Sequence, residues 1–247
     1  MKIAILSDIH SNLEALQACC RRADKLGVKR YICLGDIIGY GADPVATLEL
    51  VMSLPGLIAV RGNHDEAVLS GTYAGVSKSV QEAIAWTHQQ LLPGHLQFIR
   101  SLPYTQVLGG AVFAHASTQE PSKWEYLYNE EQIKKCMEVA ERPLVFLGHT
   151  HLPKLYFEGK SAEVGELAHE EDSPIPLYQY RRYVINVGSV GQPRDGNSAA
   201  SFVTFDNNTN EASFHRVIYD FNRSCQKILD ADLAPHFAHR LKRRDWQ

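Results

Sequence analysis

The chain has 247 residues, of which 45% are hydrophobic and 21% are charged, and its formal net charge is -3. This composition excludes an intrinsically disordered chain, and the charge excludes a globally basic surface for nucleic acid or anionic lipid. The length suits a single α/β domain, which we expect to span residues 1–247.

The first hundred residues alternate short apolar strands with helical patterns. Strands are predicted over 2–7, 31–34 and 57–60, and helices over 13–26, 43–53, 79–91 and 93–101. Asp43-Pro44 is typical of the first positions of a helix. Three strand–helix units in succession indicate a sheet of parallel strands covered by helices.

The second half is rich in strands, and an antiparallel pair introduces it. Gly109-Gly110 separates apolar runs over 104–108 and 111–115, which predicts a hairpin. After a helix over 129–141, strands are predicted over 144–147, 154–157, 183–187, 200–205 and 212–219. Residues 158–180, rich in Glu, Ser and Pro, are expected to form a surface excursion. A short helix near 222–230 precedes a basic tail over 240–247.

Five groups of metal-binding residue types each follow directly on a predicted strand. They are Asp8-Ile9-His10, Gly35-Asp36, Gly62-Asn63-His64-Asp65, His115, and Gly148-His149-Thr150-His151. In open α/β sheets, ligands bind at the carboxyl ends of the strands. We therefore expect these groups to converge on one site.

The donor atoms in these groups are a mixture of carboxylate oxygens, an amide oxygen and imidazole nitrogens. Such a mixture suits divalent transition metals better than Mg²⁺ or Ca²⁺, which favour shells of oxygen alone. Ligand type does not decide among manganese, iron, nickel, cobalt and zinc, of which we take manganese as the first choice. Asp36 is the natural bridge, because one carboxylate can bind two cations of a paired site.

In this order, D-x-H, G-D, G-N-H-D, a single His and G-H-x-H resemble the calcineurin-like metallophosphoesterase superfamily, and its compact prokaryotic phosphodiesterase branch in particular. The match spans residues 8–151, and the β-rich remainder is compatible with it. The resemblance implies an α/β fold, a four-layer α/β/β/α sandwich of two mixed β-sheets flanked by helices. It also implies a first metal on Asp8, His10, Asp36 and His151, and a second on Asp36, Asn63, His115 and His149.

The same resemblance implies that His64 binds no metal and protonates the leaving oxygen of the substrate, while Asp65 orients it by accepting its ring N–H. The alternative is that His64 packs and Asp65 caps a loop. Four further residues near the motifs could contact the substrate or could equally serve local structure. They are Asn12, Arg61, Tyr40 and Arg194.

The function implied is hydrolysis of a small phosphodiester or nucleotide-type substrate by direct attack of a metal-bridging hydroxide, with two cations stabilising the phosphoryl charge. The alternative is a phosphomonoesterase, related to protein phosphatases or diadenosine tetraphosphatases. Those relatives usually continue G-D with an acidic or basic residue and then Arg-Gly, whereas Gly35-Asp36 is followed here by Ile37-Ile38-Gly39-Tyr40-Gly41. A catalytically silent interaction scaffold would be expected to have lost ligands, and this chain keeps them all.

Five cysteines without C-x-x-C spacing indicate buried thiols in a reducing compartment. The first apolar run is far shorter than a signal peptide or a membrane span. We therefore expect a cytoplasmic protein that acts on a small phosphorylated substrate and contacts neither membrane nor nucleic acid. The sequence leaves the oligomeric state open.

Overall fold

Two six-stranded mixed sheets form the centre of the structure, a computed structural model that describes residues 1–71, 73 and 75–242. The first sheet has the order β3 (Ile58–Ala59), β2 (Arg30–Cys33), β1 (Lys2–Leu6), β11 (Ala200–Asp206), β12 (Glu211–Val217) and β9 (Ile175–Pro176). The second has the order β4 (Thr105–Leu108), β5 (Ala111–Ala114), β6 (Leu144–Leu147), β10 (Tyr183–Val187), β7 (Pro153–Glu158) and β8 (Val164–Leu167).

Parallel pairing occupies the half of the first sheet that begins at the β3 edge, and the middle of the second sheet. In the first sheet β1, β2 and β3 are parallel to one another, and in the second sheet β5, β6 and β10 are parallel. The remaining pairs are antiparallel, including the predicted hairpin of β4 and β5, in which Gly109 has a φ of 59°. The loops that follow the parallel strands of both sheets thus lie together in the region of the candidate ligands.

The two sheets face each other across one apolar core, and helices cover both outer faces. In β1, Ile3 and Ile5 point into the core between the sheets, whereas Ala4 and Leu6 point toward the helices. A strand covered on both faces is apolar at every position, which explains why this run shows no polar alternation. The predicted four-layer α/β/β/α sandwich is confirmed.

The helical layers are unequal in size. The first sheet is covered by α1 (Leu13–Lys25), α2 (Pro44–Met52), α3 (Asn63–Ser70), α4 (Lys78–Gln90), α5 (Pro93–Ser101), α7 (Phe221–Asp230) and α8 (Pro235–Lys242). The second is covered by α6 (Glu130–Ala140). Asn129 caps α6, since its side chain accepts a hydrogen bond from the Gln132 N–H at 2.9 Å.

Three segments differ from the sequence-based prediction. Residues 63–70 form α3, where only a motif loop was expected, and residues 235–242 form α8, which includes the first part of the predicted basic tail. The rest of that tail, residues 243–247, lies outside the described residues. The predicted surface excursion over 158–180 instead adds an edge strand to each sheet, β8 and β9, and buries Leu177 in the core between the sheets.

All five cysteines are free thiols, and four of them are buried. Burial raises the pKa of Cys33, which is the last residue of β2 and precedes the candidate ligand Asp36. A thiol in this environment stays protonated and is a poor nucleophile. Among the helices of the described residues, none combines the length and apolar character that crossing a membrane requires.

Candidate metal centre

The structure brings all seven predicted metal ligands to one edge of the two sheets. Asp8 and His10 follow β1, Asp36 follows β2, Asn63 begins α3, His115 follows β5, and His149 and His151 follow β6. All seven side chains are buried, with exposed fractions between 0% and 5%. A buried carboxylate oxygen or imidazole nitrogen needs a hydrogen-bond donor or a positive charge beside it, and a bound cation would supply that charge.

A first set of donor atoms is formed by Asp8, His10, His151 and Asp36. Nε2 of His151 lies 3.1 Å from Oδ1 of Asp8 and 3.2 Å from Nε2 of His10. Nε2 of His10 lies 3.8 Å from both Oδ1 of Asp8 and Oδ2 of Asp36. Ligand atoms held about 2.1 Å from one metal ion lie roughly 3.0 to 3.4 Å apart. The separations of 3.1 and 3.2 Å fit a common cation, and the two separations of 3.8 Å are slightly longer than that spacing.

A second set of donor atoms is more closely spaced. Nε2 of His115 lies 3.0 Å from Oδ1 of Asn63, 3.1 Å from Nδ1 of His149 and 3.4 Å from Oδ2 of Asp36. The Oδ2 atom of Asp36 is therefore common to both sets. One shared carboxylate oxygen between two groups of nitrogen and oxygen donors is the arrangement of a bridged two-metal site.

The backbone fixes the carboxylates so that one oxygen of each remains free for a cation. Oδ2 of Asp8 accepts a hydrogen bond from the His149 N–H at 2.9 Å, and Oδ1 of Asp36 accepts one from the His64 N–H at 2.8 Å. Oδ1 of Asp8 has no hydrogen-bond partner among the residues that the structure describes. A buried carboxylate oxygen in this state is suited to a metal ion.

Backbone carbonyl groups set the tautomers of three histidines. Nδ1 of His115 lies 2.8 Å from the Leu34 carbonyl, and Nδ1 of His151 lies 2.6 Å from the Gln192 carbonyl. Nε2 of His149 lies 3.1 Å from the carbonyl oxygen of Trp124. Because a carbonyl oxygen only accepts, these nitrogens carry a ring hydrogen, and the opposite nitrogen faces the centre, where it presents a lone pair whenever the ring is neutral.

Five of the candidate ligands have left-handed backbone conformations. Their φ values are 52° for Asp8, 49° for His10, 49° for Asp36, 65° for His149 and 61° for His151. For residues other than glycine this region costs about 1–3 kcal/mol and recurs at functional sites. The sharp turn after each strand explains how side chains two residues apart can face one centre while Ile9, between two of them, enters the helix-side core.

Two glycines of the motifs are required by close approach. A side chain at Gly62 would collide with the backbone N and the carboxylate of Asp36, so only glycine lets α3 begin beside the bridging residue. At Gly39 φ is +94°, and a Cβ would lie 2.8 Å from Nδ1 of His64. Both positions favour glycine for reasons that belong to the site.

The ionisation states of the cluster suit cation binding. Burial lowers the pKa of His149 to about 3 and also lowers the pKa values of His10 and His151, so these rings are neutral near pH 7. Burial opposes a charge on His115 too, but the Asp36 carboxylate beside it raises its pKa to about 9. Without a metal, His115 therefore carries a proton that a metal ion must displace.

The predicted contact between Asp65 and the ring of His64 is contradicted. Oδ1 of Asp65 accepts hydrogen bonds from the N–H groups of Ile37 at 2.9 Å and Ile38 at 3.3 Å, and Oδ2 accepts one from the Gly62 N–H at 3.0 Å. Asp65 thus ties the loop after Asp36 to the start of α3. The alternative role, capping a loop, agrees with these contacts.

His64 lies against the first set of ligands. One of its nitrogens lies within 4.8 Å of donor atoms of His10 and Asp36, and its ring contacts the rings of His10 and Tyr40 at centroid distances of 5.0 and 4.3 Å. Its Nδ1 is buried without a hydrogen-bond partner among the described residues. Burial lowers the pKa of His64 to about 4, so the ring of the free protein is neutral.

Two of the four predicted substrate contacts have local structural partners instead. Oδ1 of Asn12 accepts from the Ala15 N–H at the start of α1, and its Nδ2 donates to the Gly191 carbonyl at 2.9 Å. Arg61 donates to the Arg100 carbonyl at 2.6 Å. Its guanidinium also lies 5.2 Å from the centroid of the Tyr104 ring. These contacts occupy polar groups of Asn12 and Arg61 that would otherwise be available to bind a substrate.

The other two face the cluster. The Tyr40 ring lies 4.7 Å from the His10 ring and 5.1 Å from the Phe237 ring of α8, so a helix missing from the prediction supports this side of the site. Arg194 is half-buried, and its positive charge lowers the pKa values of His151 and His64. An arginine in this position is available to an anionic group bound at the centre.

Aromatic residues around the cluster were missed by the sequence reasoning. Nδ2 of Asn63 donates to the Tyr73 hydroxyl at 2.8 Å, which orients the amide oxygen toward His115. The Trp124 ring contacts the His115 ring, and the Tyr126 ring lies 4.0 Å from the His149 ring. The only signal in the sequence is the aromatic density of residues 124–128, a segment outside the five groups of metal-binding residue types.

Comparison with known proteins gives a consistent result. The chain matches the model of the calcineurin-like phosphoesterase superfamily domain over residues 1–210. It is 38% identical over 244 residues to an uncharacterized protein of Methanocaldococcus jannaschii, covering 97% of this chain and 96% of that protein.

Two solved structures resemble the whole chain. A metallophosphoesterase from Sphaerobacter thermophilus superposes with a TM-score of 0.88 at 34% identity, covering 99% of both chains. A hypothetical protein from Pyrococcus horikoshii superposes with a TM-score of 0.81 at 18% identity, covering 100% of this chain and 99% of that one. The second likeness concerns the fold alone.

Proposed function

The chain belongs to the calcineurin-like phosphoesterase superfamily, whose members are metal-dependent phosphoester hydrolases, and from this premise we propose that it hydrolyses a small phosphodiester or nucleotide-type substrate at a two-metal centre. One observation carries the proposal. Oδ2 of Asp36 lies 3.8 Å from Nε2 of His10 and 3.4 Å from Nε2 of His115, so a single oxygen reaches both sets of donor atoms.

Each set would hold one divalent transition-metal ion, with manganese as the first choice. The first ion would be held by Asp8, His10, Asp36 and His151, and the second by Asp36, Asn63, His115 and His149. When bound, two such ions supply charge that stabilises the phosphoryl oxygens and lowers the pKa of a shared water, the chemistry of direct hydrolysis. The protein contributes a rigid, buried arrangement of donor atoms that already face the centre.

His64 is the candidate proton donor to the leaving oxygen. Its ring lies beside the first set and has a buried nitrogen with no hydrogen-bond partner in the described residues. A neutral ring first gives a hydrogen bond through its N–H, and the negative charge of a bound ester favours its protonated form. Arg194 would bind a phosphoryl oxygen, and Tyr40 would support His10 and His64 by contact.

The loop after Asp36 favours a diester over a monoester. Ile37 and Ile38 are fully buried, and their N–H groups are bound by Asp65, so this loop offers no cation for the extra charge of a phosphomonoester. In the monoesterase relatives an arginine stands at this place. A silent scaffold is disfavoured because the seven candidate ligands are all present and mutually close.

The test is hydrolysis by metal-free protein supplied with one metal at a time. Mn²⁺, Ni²⁺, Mg²⁺ and Zn²⁺ are added separately, and turnover of bis(p-nitrophenyl) phosphate is compared with that of p-nitrophenyl phosphate. We expect turnover with at least one transition metal and a diester preference. Lack of turnover with every metal would contradict the proposal, and a monoester preference above about tenfold, or about 1.4 kcal/mol, would favour the alternative.

A further inference from the structure

Three aromatic rings form a column that leads from the metal centre to solvent. The Tyr126 ring lies 4.0 Å from the ring of His149, a candidate ligand of the second ion, with an interplanar angle of 30°. The Tyr128 ring follows at 5.2 Å with an interplanar angle of 6°. Exposure rises outward, from 37% for Tyr126 to 67% for Tyr128.

Tyr126, the inner tyrosine of the column, lies near Arg194, the candidate phosphate-binding arginine. Arg194 lies close enough to the Tyr126 side chain to act on it electrostatically, as it does on His64 and His151. A molecule whose phosphoryl group lies at the centre beside Arg194 would therefore have its nearest organic substituent next to the two tyrosines. The column belongs to the mouth of the site.

The outer ring is held in place by its backbone rather than by burial. The N–H groups of Tyr128 and Asn129 both donate to Oε1 of Gln132, at 3.0 and 3.3 Å, within the cap of α6. Tyr126 covers the ring of His149, which explains its position. That contact does not explain the second, parallel ring of Tyr128, which is 67% exposed. A fixed, exposed aromatic face is what a planar ligand needs for stacking.

We propose that Tyr126 and Tyr128, the tyrosine platform, stack against the base of a nucleoside phosphodiester and so select this substrate class over simple alkyl esters. The proposal rests on the proposed function, because it places the scissile phosphoryl group at the metal centre. A nucleotide carries its base and its phosphate on one sugar, so both can be held at neighbouring sites. Stacking is tolerant of base identity, so selection is for a base rather than for one particular base.

The experiment uses two diesters that release the same product, thymidine 5′-(p-nitrophenyl phosphate) and methyl p-nitrophenyl phosphate. Their kcat/KM values are measured with the metal-loaded protein and with Tyr128→Ala, Tyr128→Phe and Tyr180→Ala. Tyr180 is a matched control, because it stacks on Tyr178 at 5.4 Å and is 77% exposed. That pair lies at the amino ends of the strands, where Tyr178 lines a cavity with Met1 and Arg30.

We expect the unmodified protein to prefer the thymidine ester by at least about tenfold in kcat/KM. Tyr128→Ala should reduce this preference about tenfold, Tyr128→Phe should retain it, and Tyr180→Ala should leave it unchanged. The preference is a ratio between two substrates of one protein sample, so partial unfolding of a variant does not alter it.

The outcomes separate the two proposals. If the unmodified protein hydrolyses neither ester with any metal, the proposed function fails, and the platform fails with it. If both esters are hydrolysed without preference, or if Tyr128→Ala keeps the preference, the platform alone is refuted. Equal loss of both activities in Tyr128→Ala would leave the preference unchanged, and it would therefore also refute the platform.

Discussion

Replacing Asp65 by Asn tests whether this residue holds the site together or acts on His64. Asp65 is fully buried and accepts hydrogen bonds from the N–H groups of Ile37, Ile38 and Gly62. Asparagine keeps one acceptor oxygen but places an NH₂ group where the second oxygen stood. If that group faces Gly62, two donors meet, and the loop after the bridging residue is released from α3.

The expected cost is set by these contacts. A buried donor left without an acceptor costs about 1–3 kcal/mol, and the two remaining hydrogen bonds lose the strength that a charged acceptor gives, roughly another 1 kcal/mol. We therefore expect Asp65→Asn to lower the free energy of unfolding by about 2–4 kcal/mol. Burial raises the pKa of Asp65 to about 7, so the comparison is made at pH 8, where the carboxylate is ionised.

The assay is urea unfolding followed by circular dichroism with saturating Mn²⁺. Asp230→Asn is the matched control, because the side chain of Asp230 is exposed and accepts one hydrogen bond, from Gln226, and its replacement should change stability by less than about 0.5 kcal/mol. We expect His64→Ala to lower kcat, because His64 is the candidate proton donor. If Asp65→Asn were as stable as the Asp230→Asn control while its kcat fell as much as that of His64→Ala, Asp65 would act on His64, and the loop-capping role would be refuted.

Three further predictions concern the metals, α8 and a buried histidine. Removing metal with EDTA should lower the melting temperature in calorimetry, because buried ligands lose their cation, and Mn²⁺ should restore it; an unchanged temperature would contradict metal binding. Phe237→Ala should cost about 3–5 kcal/mol in urea unfolding, since Phe237 is fully buried against Tyr40; a loss below 1 kcal/mol would show that α8 does not support the site. Burial lowers the pKa of His215, so the unfolded chain binds a proton that the folded chain lacks, and stability falls below about pH 6.5. His215→Gln should reduce the loss between pH 7.5 and 5.5 by up to about 1 kcal/mol, and an equal loss in both proteins would contradict this.

The part of the fold that carries the ligands was predictable because it rests on local patterns. The strands before Asp8, Asp36, His115 and His149 are continuous apolar runs, and the chain reverses at glycine or at a short polar motif after each one. Strand ends in a sheet of this kind lie together, so the convergence of the candidate ligands followed from their positions alone.

Other features depend on contacts between distant segments. The edge strand β9 has two residues and exists through its pairing with Glu211 and Ala212, so no local pattern announces it. Asp65, in α3, accepts hydrogen bonds from Ile37 and Ile38, which are 28 and 27 residues away from it in sequence. By contrast, Phe237, Ala238 and Leu241 have helical spacing and are buried in α8, a signal that the nearby basic residues concealed.

The central claim is that one carboxylate oxygen of Asp36 is shared by two metal ions. It is tested most directly by anomalous X-ray diffraction from crystals of the protein loaded with Mn²⁺. We predict two anomalous peaks about 3.5 to 4 Å apart, one beside Asp8, His10 and His151 and the other beside Asn63, His115 and His149, with Asp36 between them. A single peak, or two peaks of which only one contacts Asp36, would contradict the claim.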